Sequence, residues 1–166
     1  MKTPEKLNNQ SVSLLLSAIK EEFSAFYFYR SCQNWCANVG FKLFAAYFEK
    51  ESIAELQHVK DLEQYLVDWN IDVALPQIDA PESKFLNLVD IIEKAYDKEF
   101  KLLTLYTDTA NNCLQRNDQA TYKVLQAKIQ TQVDSVKEYS DMLNMLQGVD
   151  IRDKFQLLLL EEKLVG

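Results

Sequence analysis

Four stretches of this chain repeat apolar side chains at steps of three and four over roughly thirty residues each, the pattern of long amphipathic helices. Each stripe is broken near mid-length by a carboxylate or a carboxamide. In the first, Leu15, Ile19, Phe26, Tyr29, Gln33 and Cys36 surround Glu22; in the second, Phe44, Phe48, Leu62, Tyr65 and Trp69 surround Glu51, Glu55 and the one histidine of the chain, His58. The third runs Leu88, Ile92, Ala95, Glu99, Leu102, Tyr106, and the fourth Leu125, Ile129, Gln132, Val136, Tyr139, Leu143. Stripes of this length hide from water only by facing one another, so the expected fold class is all-α, a four-helix bundle. The interval of 33 residues from Glu22 to Glu55 recurs from Glu99 to Gln132, which makes the two halves read as related helical hairpins with their polar residues at one level. The halves differ in one respect: Glu55-x-x-His58 in the first is matched by Gln132-x-x-Ser135 in the second.

Three or four carboxylates inside one core repel one another, and each costs several kcal/mol to bury unpaired. Divalent cations relieve both costs. Mostly carboxylate oxygen with one imidazole is a hard ligand set, suited to iron or manganese rather than to the sulfur-rich or histidine-rich sets of structural zinc. Two such ions would roughly balance Glu22, Glu55 and Glu99, with Glu51 as a further carboxylate on the same stripe. The motif alone is weak, because with thirteen glutamates in 166 residues a Glu three before a His arises by chance about one time in thirteen. What strengthens it is the agreement of Glu22, Glu99 and Gln132 at matching positions on the other stripes.

The chain is expected to form a single domain, residues 1–166, with helices at about 10–39, 41–70, 87–116, 118–147 and 150–164. Only three Gly and three Pro occur. Gly40 sits where a helix C-cap is expected, Gly148 ends the fourth helix, and Pro76 and Pro81 fall in a connection from Ile71 to about Leu86 that is long enough to run the length of a bundle. The run Leu157 to Leu160 is too short to span a membrane and is expected to bury against other subunits. The start, MKTPEKLNNQ, has no apolar stretch of the secretion-signal kind, so the protein is expected to stay in the cytoplasm. Cys32, Cys36 and Cys113 are odd in number and lack C-x-x-C spacing, as reduced packing residues do. A net charge of −7 with interspersed signs argues against nucleic acid and membrane as partners.

With Glu22, Tyr29 seven residues later, Glu55-x-x-His58, Glu99 and Gln132 in this order, followed by a short fifth helix, nearly the whole chain resembles the ferritin family. The resemblance implies a ferritin-like four-helix bundle with a long crossover between helices 2 and 3 and a short C-terminal helix. It implies a ferroxidase centre similar to that of heavy-chain ferritins, in which Glu22 and His58 hold one iron, Glu55 bridges, and Glu99 holds the second with Gln132 beside it. Its substrates would be iron, Fe2+ going to Fe3+ at the di-iron site, and dioxygen or peroxide, and 24 subunits would enclose the mineral. No haem is expected, since bacterioferritins carry a Met where this chain has Leu56 and a second Glu-x-x-His that is absent here. Tyr29 is open to three readings: hydrogen-bond partner of a ligand, electron donor, or core tyrosine.

Some positions depart from the family. Lys50, Ile53, Ala54, Gln57 and Lys60 stand where ferritins often carry acids that nucleate mineral, so nucleation is expected to be either poor or moved to Asp134, and Tyr122 and Leu125 replace the acids of the animal threefold channels. Ser135 stands where many bacterial ferritins have a glutamate, and Glu51 is either a transit carboxylate or a solvated charge. The leading expectation is an iron-storage ferroxidase. The alternative is a ferritin-like di-iron oxidase or metal-binding scaffold with little or no mineral storage.

Overall fold

The computed structural model describes residues 7–166; the leading MKTPEK, part of the segment read above as lacking a secretion signal, lies outside them. Five helices form: α1 (Asn9–Val39), α2 (Lys42–Asp68), α3 (Leu88–Gln115), α4 (Gln119–Leu146) and α5 (Lys154–Val165), and no strand occurs among the described residues. Four of the starts are encoded locally. The side chains of Asn8, Asn87, Asp118 and Asp153 accept hydrogen bonds from first-turn N–H groups that have no helical partner. Asp150 is held in a turn by Arg152, so α5 begins at Lys154 rather than near residue 150.

Side-chain contacts fix the topology. Tyr29 meets Glu99 and Tyr106 meets Glu22, so α1 and α3 run in opposite senses; Tyr47 meets Glu138 and Tyr65 meets Thr121, so α2 and α4 do as well. Because α1 and α2 form one hairpin and α3 and α4 another, α2 and α3 must point the same way. The 27 residues of α2 are roughly 40 Å long, and the extended chain between Asp68 and Leu88 reaches about 60 Å, enough to return along the bundle. It does so over α1. Ser31 donates to the Glu82 carbonyl, and the Phe85 ring packs edge-on against Phe28 and Trp35. The expected four-helix bundle with a long crossover and a short fifth helix is what forms.

The third stripe is buried throughout, Leu88, Ile92, Ala95, Glu99, Leu102 and Tyr106 all facing the core. On α1 the buried face turns away from the expected stripe. Phe26 and Gln33 are only half-buried, while Ala25, Phe28 and Cys32 lie inside. Steps averaging 3.5 residues drift against the 3.6-residue turn of a straight helix by about 20° per heptad, and over 31 residues the drift moves the seam.

The helix α2 has no capping side chain of its own at Phe41. Its third N–H, on Phe44, is instead satisfied by Glu161 Oε1 of α5 at 2.8 Å, a buried carboxylate at the positive end of a helix dipole. At the other side of the same turn, Gly40 takes φ 97°, closing α1, and the Lys154 ammonium donates to the Val39 carbonyl. One corner therefore anchors α5 at both ends. This alters the expectation for the leucine run: Leu157 and Leu160 bury within the chain, whereas Phe155 (69% exposed) and Leu159 (51%) remain outside. Glu161→Ala should destabilise the fold by about 1–3 kcal/mol, since it leaves the Phe44 N–H buried and unpaired. Urea unfolding of the variant against wild type measures this, and equal midpoints would refute the capping role.

Candidate metal centre

At mid-height the four long helices deliver five side chains to one place. Glu22 comes from α1, Glu55 and His58 from α2, Glu99 from α3 and Gln132 from α4; the three carboxylates and the amide are at most 3% exposed, and His58 is half-buried. On α2 the spacing of three puts Glu55 and His58 on one face, and the imidazole Nδ1 lies 3.0 Å from Glu55 Oε2 and 3.5 Å from Glu22 Oε2. One ligand atom from each of Glu22, Glu55 and His58 lies within 4.8 Å of the others. Glu22 Oε2 has no hydrogen-bond donor, although a buried carboxylate oxygen left unsatisfied is costly. That orphaned atom, in an all-oxygen-and-nitrogen donor set, fits a hard divalent cation.

The opposite side of the pocket is closed by Glu99. Its Oε1 accepts the Tyr29 hydroxyl, and its Oε2 accepts Gln132 Nε2 at 2.6 Å. Glu99 and Gln132 thus meet side by side between α3 and α4, as the common 33-residue interval suggests, and Glu99 lies outside the tight triad of Glu22, Glu55 and His58. Tyr29 joins the pocket through Glu99. A further phenol was not singled out from the sequence: Tyr106 on α3 is fully buried and donates to Glu22 Oε1. The signal was present, because Tyr106 follows Glu99 by seven residues just as Tyr29 follows Glu22. Glu51, one turn before Glu55, is half-buried, as is Ser135 on α4.

Crowding of like charge sets the protonation pattern. Burial, then the Glu22 charge, then those of Glu99 and Glu51 hold the Glu55 carboxyl well above the usual range. Burial also acts on Glu22, but hydrogen bonding with Glu55, the contacts of His58 and the Tyr106 hydroxyl outweigh it and bring this group below its ordinary value. Glu22 and Glu55 thus form a coupled pair shifted in opposite directions, which titrates as a unit. Burial raises Glu99 despite its donors Tyr29 and Gln132. Burial and the nearby Glu138 and Glu99 push Glu51 up to about 7. The metal-free pocket is a place where protons stand in for cations.

The family model of the ferritin-like domain matches residues 12–149. A probable bacterial non-heme ferritin-like protein of Haemophilus influenzae is 24% identical over 140 residues, covering 84% of this chain and 85% of the relative. The bacterial non-heme ferritin of Campylobacter jejuni is 28% identical over 120 residues, 72% of each chain. Among solved structures, an open pore ferritin from the archaeon Archaeoglobus fulgidus superposes with a TM-score of 0.90 at 23% identity, covering 96% of both chains. A humanized archaeal ferritin does so at 0.91 and 23%, covering 96% of this chain and 98% of that one; at such identity these two speak for the fold. With the family model spanning most of the sequence and the curated relatives of non-haem type, the chain belongs to the ferritin family, as a non-haem bacterial-type member.

Proposed function

We propose that the protein is an iron-storage subunit that oxidises Fe(II) with dioxygen at a paired site inside the bundle and sequesters Fe(III) in a self-assembled shell in the cytoplasm. The observation that carries the reading is the unpartnered Glu22 Oε2 facing Glu55 and His58 within 4.8 Å, with Glu99 and Gln132 beyond. Glu22 and His58 hold one ferrous ion, Glu55 lies between the two, and Glu99 takes the second with Gln132 beside it. Two ferrous ions roughly 3.5–4 Å apart supply the electrons of the reaction as its substrates. The protein residues contribute position and charge: carboxylates on three rigid helices and the Gln132 amide on the fourth define both sites, and the closed core keeps water out. Loading the sites displaces protons held by the raised carboxyls of the pocket, so uptake of Fe(II) releases acid.

Self-association draws support from α5, whose Phe155 and Leu159 side chains lie exposed beside two anchored leucines. The second reading, an oxidase or scaffold with little mineral, is favoured by one feature. The exposed α2 positions Lys50, Ile53, Ala54, Gln57 and Lys60 hold no carboxylate themselves, and the neighbouring Asp61 is already engaged by Gln57 and Lys128. Light scattering before and after aerobic addition of many Fe(II) per subunit separates the two. A shell that retains ferric iron in solution is the expected result; rapid oxidation with ferric precipitate outside a small oligomer would favour the second reading. Fe(II) turning ferric no faster than in buffer would overturn both.

A further inference from the structure

The pocket is sealed unevenly. Close packing joins α1 to α2 and α3, and α3 to α4, but the α2 and α4 backbones stand farther apart and are bridged by long side chains: Tyr47 to Glu138, Asp61 to Lys128 and Tyr65 to Thr121. The first and last of these bridges set the antiparallel register and bring Lys128 level with His58. His58 is also the one pocket side chain open to solvent, at 19% exposure against 3% or less for the other four. This seam is the thin wall of the centre. Lys128 is drawn down into it, its side chain 13% exposed, while its partner Asp61, three residues after His58, is 52% exposed.

Along this wall the charges are few. From Ala54 to Leu62 the exposed positions of α2 other than Asp61 are Ala54, Gln57 and Lys60, none of them acidic, and the facing stretch of α4 from Leu125 to Gln132 holds no acid at all. A cation approaching here meets a single carboxylate, and that carboxylate already holds an ammonium. Asp61 Oδ1 accepts Gln57 Nε2 at 2.9 Å, whereas Lys128 Nζ lies 3.4 Å from Oδ2, a long contact at a half-open surface, where ion pairs are weak. Gln57 keeps Asp61 in place when Lys128 leaves, and a lysine head swings on its flexible stem without moving its helix. Resting on the proposed function, we infer that Asp61 is the point at which Fe(II) enters the centre, and that Lys128 is a resident cation which the metal displaces. Two positive charges outcompete one for the same carboxylate, so the pair passes divalent ions and holds back monovalent ones. Once the ion has moved on to Glu22 and His58, Lys128 returns and closes the wall. Neither residue touches the paired ions; both set the rate of passage.

Stopped-flow mixing of Co(II) with the metal-free protein, read by visible absorption, measures entry, and displacement by excess chelator measures exit. Asp61→Asn should slow both by the same factor, about tenfold, with Co(II) affinity within about twofold of wild type, because a doorway changes passage and not the destination. Lys128→Met keeps the stem, removes the charge and should speed both steps by about threefold or more, whereas Lys128→Arg, which keeps the charge, should be no faster than wild type. In aerobic Fe(II) oxidation, Asp61→Asn should need more Fe(II) to reach half its maximal rate, while the maximal rate stays that of wild type. Entry unchanged in Asp61→Asn, Lys128→Met no faster than wild type, or Lys128→Arg as fast as Lys128→Met would each overturn the inference. So would Co(II) affinity that falls while exit is unchanged, since Asp61 would then be an ordinary ligand. These outcomes leave the proposed function standing. Wild type that binds Co(II) no better than Glu55→Ala would remove that function, and this inference with it.

Discussion

Glu55→Ala will slow aerobic Fe(II) oxidation by roughly 100-fold or more relative to wild type, followed as the rise in ferric absorbance. Loss of even an outer-shell partner typically costs about 10–100-fold in metal affinity or activity, and Glu55 is the carboxylate with charged neighbours on both sides, Glu22 and Glu99. Without it, the pocket keeps two acids separated by the width of the site, able to hold ions singly but not to pair them. The opposite behaviour is expected of the metal-free fold. Glu55→Gln keeps the side-chain volume and removes a group whose ionisation is opposed by burial and by three neighbouring acids, so its metal-free melting temperature should match or exceed that of wild type near neutral pH. A variant that oxidises iron as fast as wild type would eliminate Glu55 as a ligand. One that loses activity together with its fold would show only that the residue is structural.

The metal-free protein should lose stability as the pH rises from about 5 to 8, and divalent metal should restore it. The direction follows from linkage. A carboxyl whose pKa is raised on folding binds its proton more tightly in the native state; its contribution is full below the ordinary value of 4.5 and disappears as pH climbs through the native value. Glu55 and Glu99 are of this kind, and so is Glu51 at about 7. Glu22 is lowered and acts in the opposite sense, but one such group does not offset three. Metal that binds only the native state at 100 times its Kd adds about 2.7 kcal/mol. In a chain of 166 residues that raises Tm by roughly 5–11 °C. Calorimetric scans at pH 5 and 8, with chelator and with Zn(II), measure both effects. A metal-free Tm that rises with pH, or one indifferent to Zn(II), would contradict the crowded-carboxylate account.

Most of the framework was legible because helix stripes are a local code. The long stripes and the turn glycine Gly40 act over a few residues each and can be found by counting along the chain, whereas the caps at Asn8, Asn87, Asp118 and Asp153, though equally local, are not marked by the stripes. The candidate ligands were legible for a related reason: a glutamate on an apolar stripe conflicts with its surroundings, and conflicts of this kind mark sites. Harder to see were features in which a residue serves a distant element. Glu161 looks like a surface acid following a leucine run, yet it caps α2 from 117 positions away. Tyr106 looks like one more core aromatic, and only the approach of α3 to α1 shows its hydroxyl on Glu22.

The sequence alone determined the helices, their polar interruptions and the need for a connection long enough to bring α3 back parallel to α2, because periodicity and chain length are properties of the strand itself. Only the tertiary structure decided which oxygens are satisfied and which are not. Glu99 receives two donors and closes one side, Glu22 keeps one oxygen unpartnered, and Glu55 is left between them with its carboxyl held above the usual range. The physical reason is that hydrogen bonds and charge repulsion fall off within a few ångströms, so they depend on how four helices seat against one another, and no spacing along a single helix encodes that.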